Sequence, residues 1–457
     1  MYRFHFENIK NTNQYEELIK VFLQPSEYSI CKGEGEGSAC SDFAYELRED
    51  DKNALKRELY RDLSAITAKR PKWGILTGIR PVKLAGEILE RAWGDFDRAV
   101  ATLREEYLLD EAKIDLITEI LRYQREKTGR PRTNSISLYI GIPFCPTRCL
   151  YCSFTSNQSG EDEIRRYLEA LHKEIAYCGS KSRQMGYEIE SVYFGGGTPT
   201  TLSPRQLSEL LDATERAFDL RNIREYTVEA GRPDTITEEK LSVLKDYGVD
   251  RISINPQTMK ESTLGLIGRD HTIDDVYKAF EAAHKVGIET INTDLIAGLL
   301  EESPEDFSDS LKKIISLGAS NVTLHTLAVK RASKLKELDE NFNYRDELIR
   351  EEMLINAHET LRDCGFRPYY LYRQKHTSGN TENTGFCRDD KLSVYNIRIM
   401  EEAQSILALG AGGISKIYFP AENRLERVAN VSNYSIYIDR IDEMLQRKEQ
   451  GFFIKSV

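Results

Sequence analysis

The stretch SISLYIGIPFCPTRCLYCSF, residues 135–154, joins a β-rich run to a loop that contains three cysteines. Residues 135–142 predict a buried strand, and Cys145, Cys149 and Cys152 follow it closely. Zinc sites usually complete a tetrahedron with a second pair of Cys or His ligands, and no obvious fourth ligand stands nearby. Three thiolates from one loop can instead hold three irons of a [4Fe–4S] cluster and leave the fourth iron open. A zinc loop or unpaired core cysteines are the alternatives.

Short β-rich runs alternate with amphipathic helical segments from Ser135 onward. The runs are SISLYIGI, SVYFGG, YTVEA, RISIN, ETINTDLIAGL and NVTLHTL. Ser203 and Ser303 each precede a proline and stand three residues before Gln206 or Asp306, a pattern typical of helix N-termini. Six such strands predict parallel βαβ units, as a six-stranded partial barrel, which we favour, or an open doubly wound sheet. In both folds, ligands bind at the carboxyl ends of the strands.

The regions on either side of this alternating segment have different patterns. Residues 1–132 begin with the alternating run YRFHFE and continue through helical stretches, which predicts an N-terminal α+β domain. Residues 133–335 form the predicted barrel, and residues 336–457 predict a smaller C-terminal α+β domain. The predicted fold class is therefore α/β, a partial (β/α)6 barrel between two α+β domains. The TGIRP stretch, residues 77–81, fits either a binding loop or a cap on the barrel.

The composition excludes several classes of protein. The net charge of −11 over 457 residues argues against a nucleic-acid-binding surface. No apolar stretch approaches the roughly 20 residues needed to span a bilayer. The first residues, MYRFHFENIK, lack a basic cap followed by an apolar run, so a secretory signal is not expected. Eight cysteines without such a signal indicate reduced thiols, and we expect a cytoplasmic monomer.

The cysteine loop carries a specific resemblance. The pattern CxxxCxxC after a first strand, with Tyr151 directly before the last cysteine, resembles the radical S-adenosylmethionine (radical SAM) superfamily. The segment LYIGIPFCPTRCLYCSF resembles the oxygen-independent coproporphyrinogen III oxidase branch, and GILTGIRPVKL in the N-terminal region is similar to the HemZ type. The resemblance covers nearly the whole chain. It implies a [4Fe–4S] cluster on Cys145, Cys149 and Cys152, with S-adenosylmethionine, in one or two copies, as the second cofactor.

The resemblance also implies roles for residues at the strand ends. Tyr139 matches the tyrosine of the family element YxHxPFC, and Tyr139 and Glu229 are the implied catalytic residues. The implied contacts to S-adenosylmethionine are Tyr139, Tyr151, Gly195, Gly196, Gly197, Thr198, Glu229, Gln257, Arg269, Asp294, Ala328 and Ile414. Gln257, Arg269 and Asp294 would contact the second molecule. Because Asp294 lies in an apolar run, its carboxylate is expected to have a partner.

Three positions depart from the family pattern. Gly141 replaces the histidine of YxHxPFC, and Phe154 stands where the best-known oxidases have a further cysteine. Tyr151 replaces a phenylalanine. The first two changes concern proton handling and radical quenching, and none of the three removes a cluster ligand.

The implied activity is that of an oxygen-independent coproporphyrinogen III dehydrogenase of haem biosynthesis. A radical derived from S-adenosylmethionine would remove hydrogen from two propionates, which lose carbon dioxide and become vinyl groups in protoporphyrinogen IX. A reduced protein such as flavodoxin or ferredoxin would be the electron donor. The cationic candidates for binding the propionates are Arg367, Arg373, Lys375 and Lys416, although the first three also fit a solvated basic strand.

A haem chaperone of the HemW type is the alternative from a different class. HemW proteins have the same three-cysteine loop and usually carry HNxxYW, whose histidine can ligate haem. Tyr395 stands in that histidine's place, which favours the enzyme, although tyrosine can also ligate haem iron. A radical SAM enzyme that acts on haem itself is a third interpretation.

The other cysteines are predicted to have structural positions. Cys178 and Cys364 lie late in helical segments and are expected to pack in the core. Cys387 is expected in a loop, without an assigned role. Cys31 and Cys40 flank a glycine-rich stretch, where metal binding is the less favoured interpretation because no pair of histidines accompanies them.

Overall fold

A computed structural model describes residues 1–7, 9, 11–32, 42–46, 51–152, 157–327, 347–374 and 381–455. The chain forms two compact units. The smaller unit consists mainly of residues 1–123, and the larger consists of residues 124–342, 348–370 and 384–457. The division into three domains at 132/133 and 335/336 stays a prediction. Phe154, Ala328, Lys375 and Cys40 lie outside the described residues.

The smaller unit combines a short parallel sheet with helices. Its strands are β1 (Tyr2–Glu7), β2 (Tyr28–Lys32) and β3 (Phe43–Glu46), in the order β2-β1-β3. Its helices are α1 (Asn13–Phe22), α2 (Lys52–Thr67), α3 (Pro81–Arg91), α4 (Phe96–Glu105) and most of α5 (Glu111–Lys127). The alternating run YRFHFE is confirmed as a strand, with Phe4 and Phe6 buried on one face.

The TGIRP stretch leads directly into α3. Arg80 is the residue before the helix, and Pro81 occupies its first position. Nη1 of Arg373 donates hydrogen bonds to the carbonyl oxygens of Leu76 (2.6 Å) and Gly78 (3.4 Å). The Arg373 guanidinium also stacks on the ring of Trp73, 4.9 Å from its centroid. Arg373, one of the cations predicted to bind propionates, therefore already has partners within this unit.

The six predicted strands lie side by side in an eleven-stranded sheet. They are β4 (Ser135–Ile142), β5 (Glu188–Gly196), β6 (Glu225–Glu229), β7 (Arg251–Ser253), β8 (Thr290–Ala297) and β9 (Asn321–Thr326). All neighbouring pairs among them are parallel and follow chain order. A doubly wound sheet would reverse its strand order at a switch point, so this order confirms the partial barrel and excludes the competing fold.

Strands from the C-terminal part of the chain extend this sheet at both edges. They are β10 (Arg367–Arg373), β11 (Glu382–Cys387), β12 (Ser405–Leu409), β13 (Ile414–Phe419) and β14 (Arg424–Ala429). The full order is β10-β11-β9-β8-β7-β6-β5-β4-β12-β13-β14. Strand β12 pairs parallel with β4, a pairing that the sequence did not predict.

The helices between the parallel strands cover the sheet. They are α6 (Glu161–Gln184), α7 (Pro204–Ala217), α8 (Glu238–Asp246), α9 (Glu261–Leu266), α10 (Ile273–Val286) and α11 (Pro304–Ser316). The predicted capping boxes at Ser203 and Ser303 are both confirmed. Leu138 and Val192 pack in the hydrophobic core, whereas the alternating neighbours Ser137 and Ser191 share a hydrogen bond of 2.8 Å. The other face of the strands is therefore polar.

Three predictions for the C-terminal part are wrong. Its helices are α12 (Glu347–Asp363), α13 (Val394–Glu401), α14 (Tyr434–Asp439) and α15 (Ile441–Lys448). The stretch SNYSIYIDRIDEMLQRK, residues 432–448, predicts one final helix, but it forms two because Arg440 leaves the helical conformation, with φ at −117°. Cys364 is exposed because it follows the last turn of α12, while Cys178 is buried as predicted. Cys387 lies in strand β11 rather than a loop, paired with Asn321 at the amino end of β9.

Within the described residues, no helix has the length and apolarity that a membrane span needs.

Candidate functional site

The cysteine loop leaves the carboxyl end of β4 and is held on two sides. The Cys145 N–H donates to the carbonyl oxygen of Asn157 (3.0 Å), just beyond the loop. The Leu150 N–H donates to the carbonyl oxygen of Ile267 (3.0 Å), which follows α9. These backbone hydrogen bonds fix the loop at the end of the parallel strands where the fold predicts a ligand site.

The three thiols are partly buried and lie close enough to interact. Burial raises the pKa of the Cys145 thiol, and the neighbouring Cys149 and Cys152 add to the rise. Thr198 Oγ1 donates to Cys145 Sγ (3.6 Å), and Arg232 Nη1 donates to Cys149 Sγ (3.8 Å). Within the described part of the chain, no three or more Cys, His, Asp and Glu side chains are already arranged to hold a metal ion. The sulfurs thus form a loose group with two hydrogen-bond donors beside it.

The glycine run at the end of β5 packs directly against the chain that leads into this loop. The Gly197 and Thr198 N–H groups donate to the carbonyl oxygens of Ile142 and Phe144, each at 2.7 Å. A Cβ atom on Gly197 would lie 2.5 Å from the Phe144 carbonyl oxygen and 2.9 Å from Cys145 Sγ. Any other residue at Gly197 would therefore displace the cysteine loop. These two N–H groups hold the loop rather than point to a ligand.

Glu229 ends β6 beside the glycine run and has an unusual protonation equilibrium. Burial raises the pKa of its carboxyl group to about 7, and the negative charge of Asp294 adds to the rise. The Tyr193 hydroxyl donates to Glu229 Oε1. A Cβ on Gly195 would lie 3.1 Å from Glu229 Oε2, so the glycine leaves room for this carboxyl group. Glu229 can therefore hold or release a proton near neutral pH.

Three tyrosines stack near Glu229, of which Tyr395 is buried and Tyr139 and Tyr193 are half-buried. Tyr193 and Tyr395 lie with ring centroids 4.5 Å apart, and Tyr139 lies 6.3 Å from each of them. Burial raises the pKa of all three phenols. Tyr395 is thus packed between aromatic rings next to the barrel strands. Sequence reasoning missed Tyr193, although its two-residue spacing from Gly195 places both on one face of β5.

Gln257, Asp294 and His325 form a second polar group at the same strand ends. Gln257 has a φ of +72°, and its N–H donates to the carbonyl oxygen of Asp294 (3.1 Å). The Gln257 Oε1 atom is buried and has no hydrogen-bond partner among the described residues.

Asp294 has the partners that its apolar surroundings predicted. Its Oδ2 atom lies 3.5 Å from His325 Nε2, and its Oδ1 accepts a hydrogen bond from Asn292 (2.9 Å). Burial alone would raise the pKa of Asp294, but His325, Asn292 and Thr323 hold it below its usual range. His325 was missed, although it lies two residues beyond Thr323 on the same face of β9.

Arg269 contacts the cysteine loop through Tyr151. Its Nε and Nη2 atoms donate to the Tyr151 hydroxyl (3.2 and 3.0 Å), and Nη1 donates to the carbonyl oxygen of Gly231 (3.4 Å). His271 is buried nearby, and its pKa is lowered to about 3 by burial together with the charges of Arg269 and Arg232. The imidazole is therefore neutral, and two buried arginines supply the positive charge around the loop.

Gly141, which replaces the family histidine, is covered by the loop that follows β12. Its carbonyl oxygen accepts a hydrogen bond from the Tyr167 hydroxyl (2.6 Å). A Cβ atom at this position would lie 3.4 Å from both the Leu409 carbonyl oxygen and Cε1 of Tyr139, and 3.5 Å from the carbonyl oxygen of Ala411. The space beside Gly141 is therefore bounded by two backbone oxygens and the Tyr139 ring.

The remaining predicted residues lie apart from this arrangement or have other partners. Ile414 begins β13, is 48% exposed and pairs with Ala429. Lys416 is buried, and its Nζ atom lies 3.6 Å from Glu402 Oε1. Arg367 is exposed at the start of β10. Of the other cations suggested for propionates, Arg373 belongs to the smaller unit and Lys375 lies outside the described residues. The role of these cations in binding propionates stays a prediction.

The residues at this site fit the two cofactors that the loop pattern implies. They include three cysteine thiols, a close-packed glycine run and an amide oxygen with no hydrogen-bond partner among the described residues. Cys145, Cys149 and Cys152 supply the sulfur ligands that an iron–sulfur cluster takes. The buried Gln257 Oε1 offers an acceptor to a bound molecule, and Glu229 offers a carboxyl group beside the loop.

Comparison with known proteins places this site in a family. The Radical SAM superfamily matches residues 139–314. The oxygen-independent coproporphyrinogen-III oxidase-like protein HemZ of Bacillus subtilis is 37% identical over 450 residues, 94% of this chain and 89% of HemZ. The heme chaperone HemW of B. subtilis is 36% identical over 195 residues, 42% of this chain and 51% of HemW.

A solved structure agrees with the fold. Coproporphyrinogen III oxidase HemN from Escherichia coli matches with a TM-score of 0.54 and 21% identity, over 71% of this chain and 73% of HemN. Radical SAM proteins use a [4Fe–4S] cluster and S-adenosylmethionine, so both cofactors are implied for this protein. The chain belongs to the radical SAM superfamily, in the group of HemZ-like relatives of the oxygen-independent coproporphyrinogen III oxidases.

Proposed function

We propose that this protein is an oxygen-independent coproporphyrinogen III dehydrogenase, which converts two propionates of its substrate to vinyl groups and forms protoporphyrinogen IX. The observation that carries the choice of an enzyme over a chaperone is the position of Tyr395. This residue occupies the place of the HemW histidine, yet its ring is buried and stacked on Tyr193 at 4.5 Å. A side chain packed in this way is not presented to a haem iron.

The proposed cluster ligands are Cys145, Cys149 and Cys152. A [4Fe–4S] cluster with S-adenosylmethionine supplies the one-electron reduction that generates a hydrogen-abstracting radical. The protein's own contribution is to position these groups. Thr198 and Arg232 donate hydrogen bonds to two of the three sulfurs, and the glycine run keeps the loop close to β5.

Glu229 is proposed to receive the amino group or a ribose hydroxyl of S-adenosylmethionine. A nearby ammonium would favour the carboxylate form, because opposite charge lowers the pKa of a carboxyl group. Tyr139, Tyr151 and the segment Gly195–Thr198 are proposed to line the same molecule. The rings of Tyr139, Tyr193 and Tyr395 are proposed to line the space beside them and to limit the access of water to a radical reaction.

A second S-adenosylmethionine is proposed to contact Gln257, Arg269 and Asp294. The unpartnered Gln257 Oε1 supports this placement, since a buried acceptor without a hydrogen bond is costly unless a ligand supplies the donor. The assignments of Ala328 and Ile414 rest on the resemblance alone. A reduced flavodoxin or ferredoxin as electron donor, a monomeric state and a cytoplasmic location stay predictions.

A HemW-like haem chaperone is the second candidate function. Its support is the 36% identity to HemW over 195 residues, 42% of this chain. HemZ matches over almost the whole chain, so the resemblance to HemZ includes the N-terminal region as well.

The test is anaerobic incubation of the reconstituted protein with coproporphyrinogen III, S-adenosylmethionine and a chemical reductant, followed by mass spectrometry. We expect products that have lost one and then two carbon dioxide molecules. The variants C145A, C149A and C152A should lose iron and turnover, while C364S, a change at an exposed cysteine, should retain both.

Two outcomes would contradict the proposal. Stoichiometric haem binding without any decarboxylated product would identify a chaperone. Consumption of added haem, with a modified macrocycle as product, would identify a radical SAM enzyme that acts on haem.

A further inference from the structure

Arg232 is a buried cation that contacts the cysteine loop from outside it. It follows β6 by three residues and is only 3% exposed. Its Nη1 atom donates to Thr147 Oγ1 (2.9 Å), within the loop, and to Cys149 Sγ (3.8 Å). Neither the strand pattern nor the resemblance drew attention to this residue.

The Arg232 side chain is held in place by a bidentate ion pair. Its Nε and Nη2 atoms donate to Asp234 Oδ1 (2.9 Å) and Oδ2 (3.0 Å). The Arg232 carbonyl oxygen accepts a hydrogen bond from Thr235 Oγ1 (2.7 Å), which lies 2.6 Å from Thr200 Oγ1. Arg232 therefore connects the cysteine loop to the segments that follow β5 and β6, and its guanidinium plane cannot turn without breaking several hydrogen bonds.

The charge of Arg232 acts in a region with little water. A buried charge interacts more strongly than an exposed one because the surrounding protein screens it less. The Asp234 carboxylate, whose side chain is 25% exposed, is better screened and offsets the arginine only in part.

We propose that Arg232 is a positioning residue that fixes Cys149 and raises the reduction potential of the cluster, with Asp234 limiting the effect of its charge. Reduction transfers one electron from the reductant to the cluster and adds one negative charge to it. A cation and a hydrogen bond at a ligating sulfur stabilise the more negative state. This inference rests on the proposed cluster ligands Cys145, Cys149 and Cys152.

The experiment measures the midpoint potential of the reconstituted cluster by electron paramagnetic resonance in a redox titration. The variants are R232M, which removes charge and hydrogen bonds, R232K, which keeps the charge, and D234N, which removes the opposing carboxylate. The matched control is R221M. Arg221 makes the same two-residue fork with Asp219 (2.8 and 2.6 Å) but is 84% exposed on the surface.

We expect R232M to shift the midpoint potential to a more negative value and R232K to shift it less. D234N should shift it to a more positive value, and R221M should leave it unchanged. R232M should also release iron to a chelator faster than R221M, because Cys149 loses its donor. This second measurement needs no substrate and no turnover.

Equal potentials for R232M and R221M, in protein that holds iron, would overturn this inference alone. A more negative midpoint potential in D234N would show that the charge of Arg232 does not raise the potential of the cluster. If R232M does not fold, R232K and D234N decide between the same outcomes. A wild-type protein that never holds iron would overturn the cluster assignment itself, and this inference with it.

Discussion

Glu190 and Glu229 lie on neighbouring strands of one sheet but at opposite ends of the barrel. Burial alone would raise the pKa of Glu190, near the start of β5, yet Arg398, Gln404 and Arg224 hold it below its usual range. Glu229, at the end of β6, forms no ion pair with a cation among the described residues, and burial raises its pKa to about 7. At pH 7 the Glu190 carboxyl group is therefore ionised and paired with arginine, whereas the Glu229 carboxyl group, with a pKa of about 7, is partly protonated.

Two carboxylates at the amino end of the strands are paired within the protein. Arg398 donates to both carboxylate oxygens of Glu190, each at 2.9 Å. Glu225, which begins β6, accepts hydrogen bonds from Ser393 Oγ (2.9 Å) and from the Val394 N–H. At the carboxyl end, Glu229 has a raised pKa, and Gln257 Oε1 has no hydrogen-bond partner among the described residues. We expect ligands at the carboxyl end, where barrels of parallel strands bind them.

The largest change in stability is expected when the Glu190–Arg398 ion pair is broken. E190Q removes the charge opposite a fully buried guanidinium, so the free energy of unfolding should fall by about 3–5 kcal/mol at pH 7. The loss should shrink at low pH, because the stability from a carboxyl group with a lowered pKa is present above its unfolded pKa and disappears as it is protonated. Urea unfolding at pH 7 and at pH 4 measures both values.

The double variant E190L/R398M is the control for this prediction. Removing both charges leaves only Arg224 and Glu401, which are partly exposed, without their partners in this group, so the double variant should lose less stability than E190Q alone. A double variant that loses the sum of both single effects would show that the two residues act independently.

The E229Q variant is expected to have a higher free energy of unfolding than the wild type, the opposite of E190Q. The pKa of Glu229 rises on folding from about 4.5 to about 7, so its contribution destabilises the fold increasingly as pH rises through that window. E229Q should therefore stabilise the ligand-free protein by up to about 3 kcal/mol at pH 8, at 1.36 kcal/mol per pKa unit, and have little effect at pH 4.5.

Urea unfolding of wild-type and E229Q protein at the two pH values checks this prediction. E302Q provides a matched comparison, because burial also raises the pKa of Glu302 to about 7 and the same sign should follow. Equal stability of wild type and E229Q at pH 8 would show that Glu229 is not buried as described.

The smallest change in stability is expected for the Y193F variant. This change removes the hydrogen bond to Glu229 that opposes the rise in its pKa, but it keeps the ring in the stack. The protein should lose about 1–2 kcal/mol at pH 8, because a hydrogen bond to an ionised group is worth more than a neutral one. Y395F keeps both the ring and the Tyr193–Glu229 bond, so it should change stability by less than about 0.5 kcal/mol. If Y193F and Y395F lose the same stability, the loss in Y193F does not come from its hydrogen bond to Glu229.

The fold was predictable wherever the pattern was local. Alternating hydrophobic runs located all six parallel strands, and the Ser-Pro capping signals located the starts of α7 and α11. The pairing of β12 with β4 was not predictable, because the two strands lie far apart in the chain and no local signal records the register between them. The break at Arg440 likewise depends on packing and not on helix propensity.

The candidate site was predictable in part for the same reason. The cysteine loop and the glycine run are motifs with fixed spacing, and the structure brings them into contact at Cys145 and Gly197. Arg232 and Tyr395 reach the site by tertiary packing, from a loop and from α13. The neighbours of Arg232 in the sequence carry no pattern that distinguishes it from an ordinary surface arginine, and Tyr395 was singled out only because it stands in the place of the HemW histidine.

The late position of β12 in the chain affects how the protein is made. Strand β4, which leads into the cysteine loop, pairs with β5 on one side and with residues 405–409 on the other. During synthesis on the ribosome, one edge of β4 stays unpaired until almost the entire polypeptide has been translated. An open strand edge is a template for aggregation, and contacts between distant segments form slowly. This edge of β4 is therefore closed only after residues 405–409 have been made, about 250 residues after the cysteine loop itself.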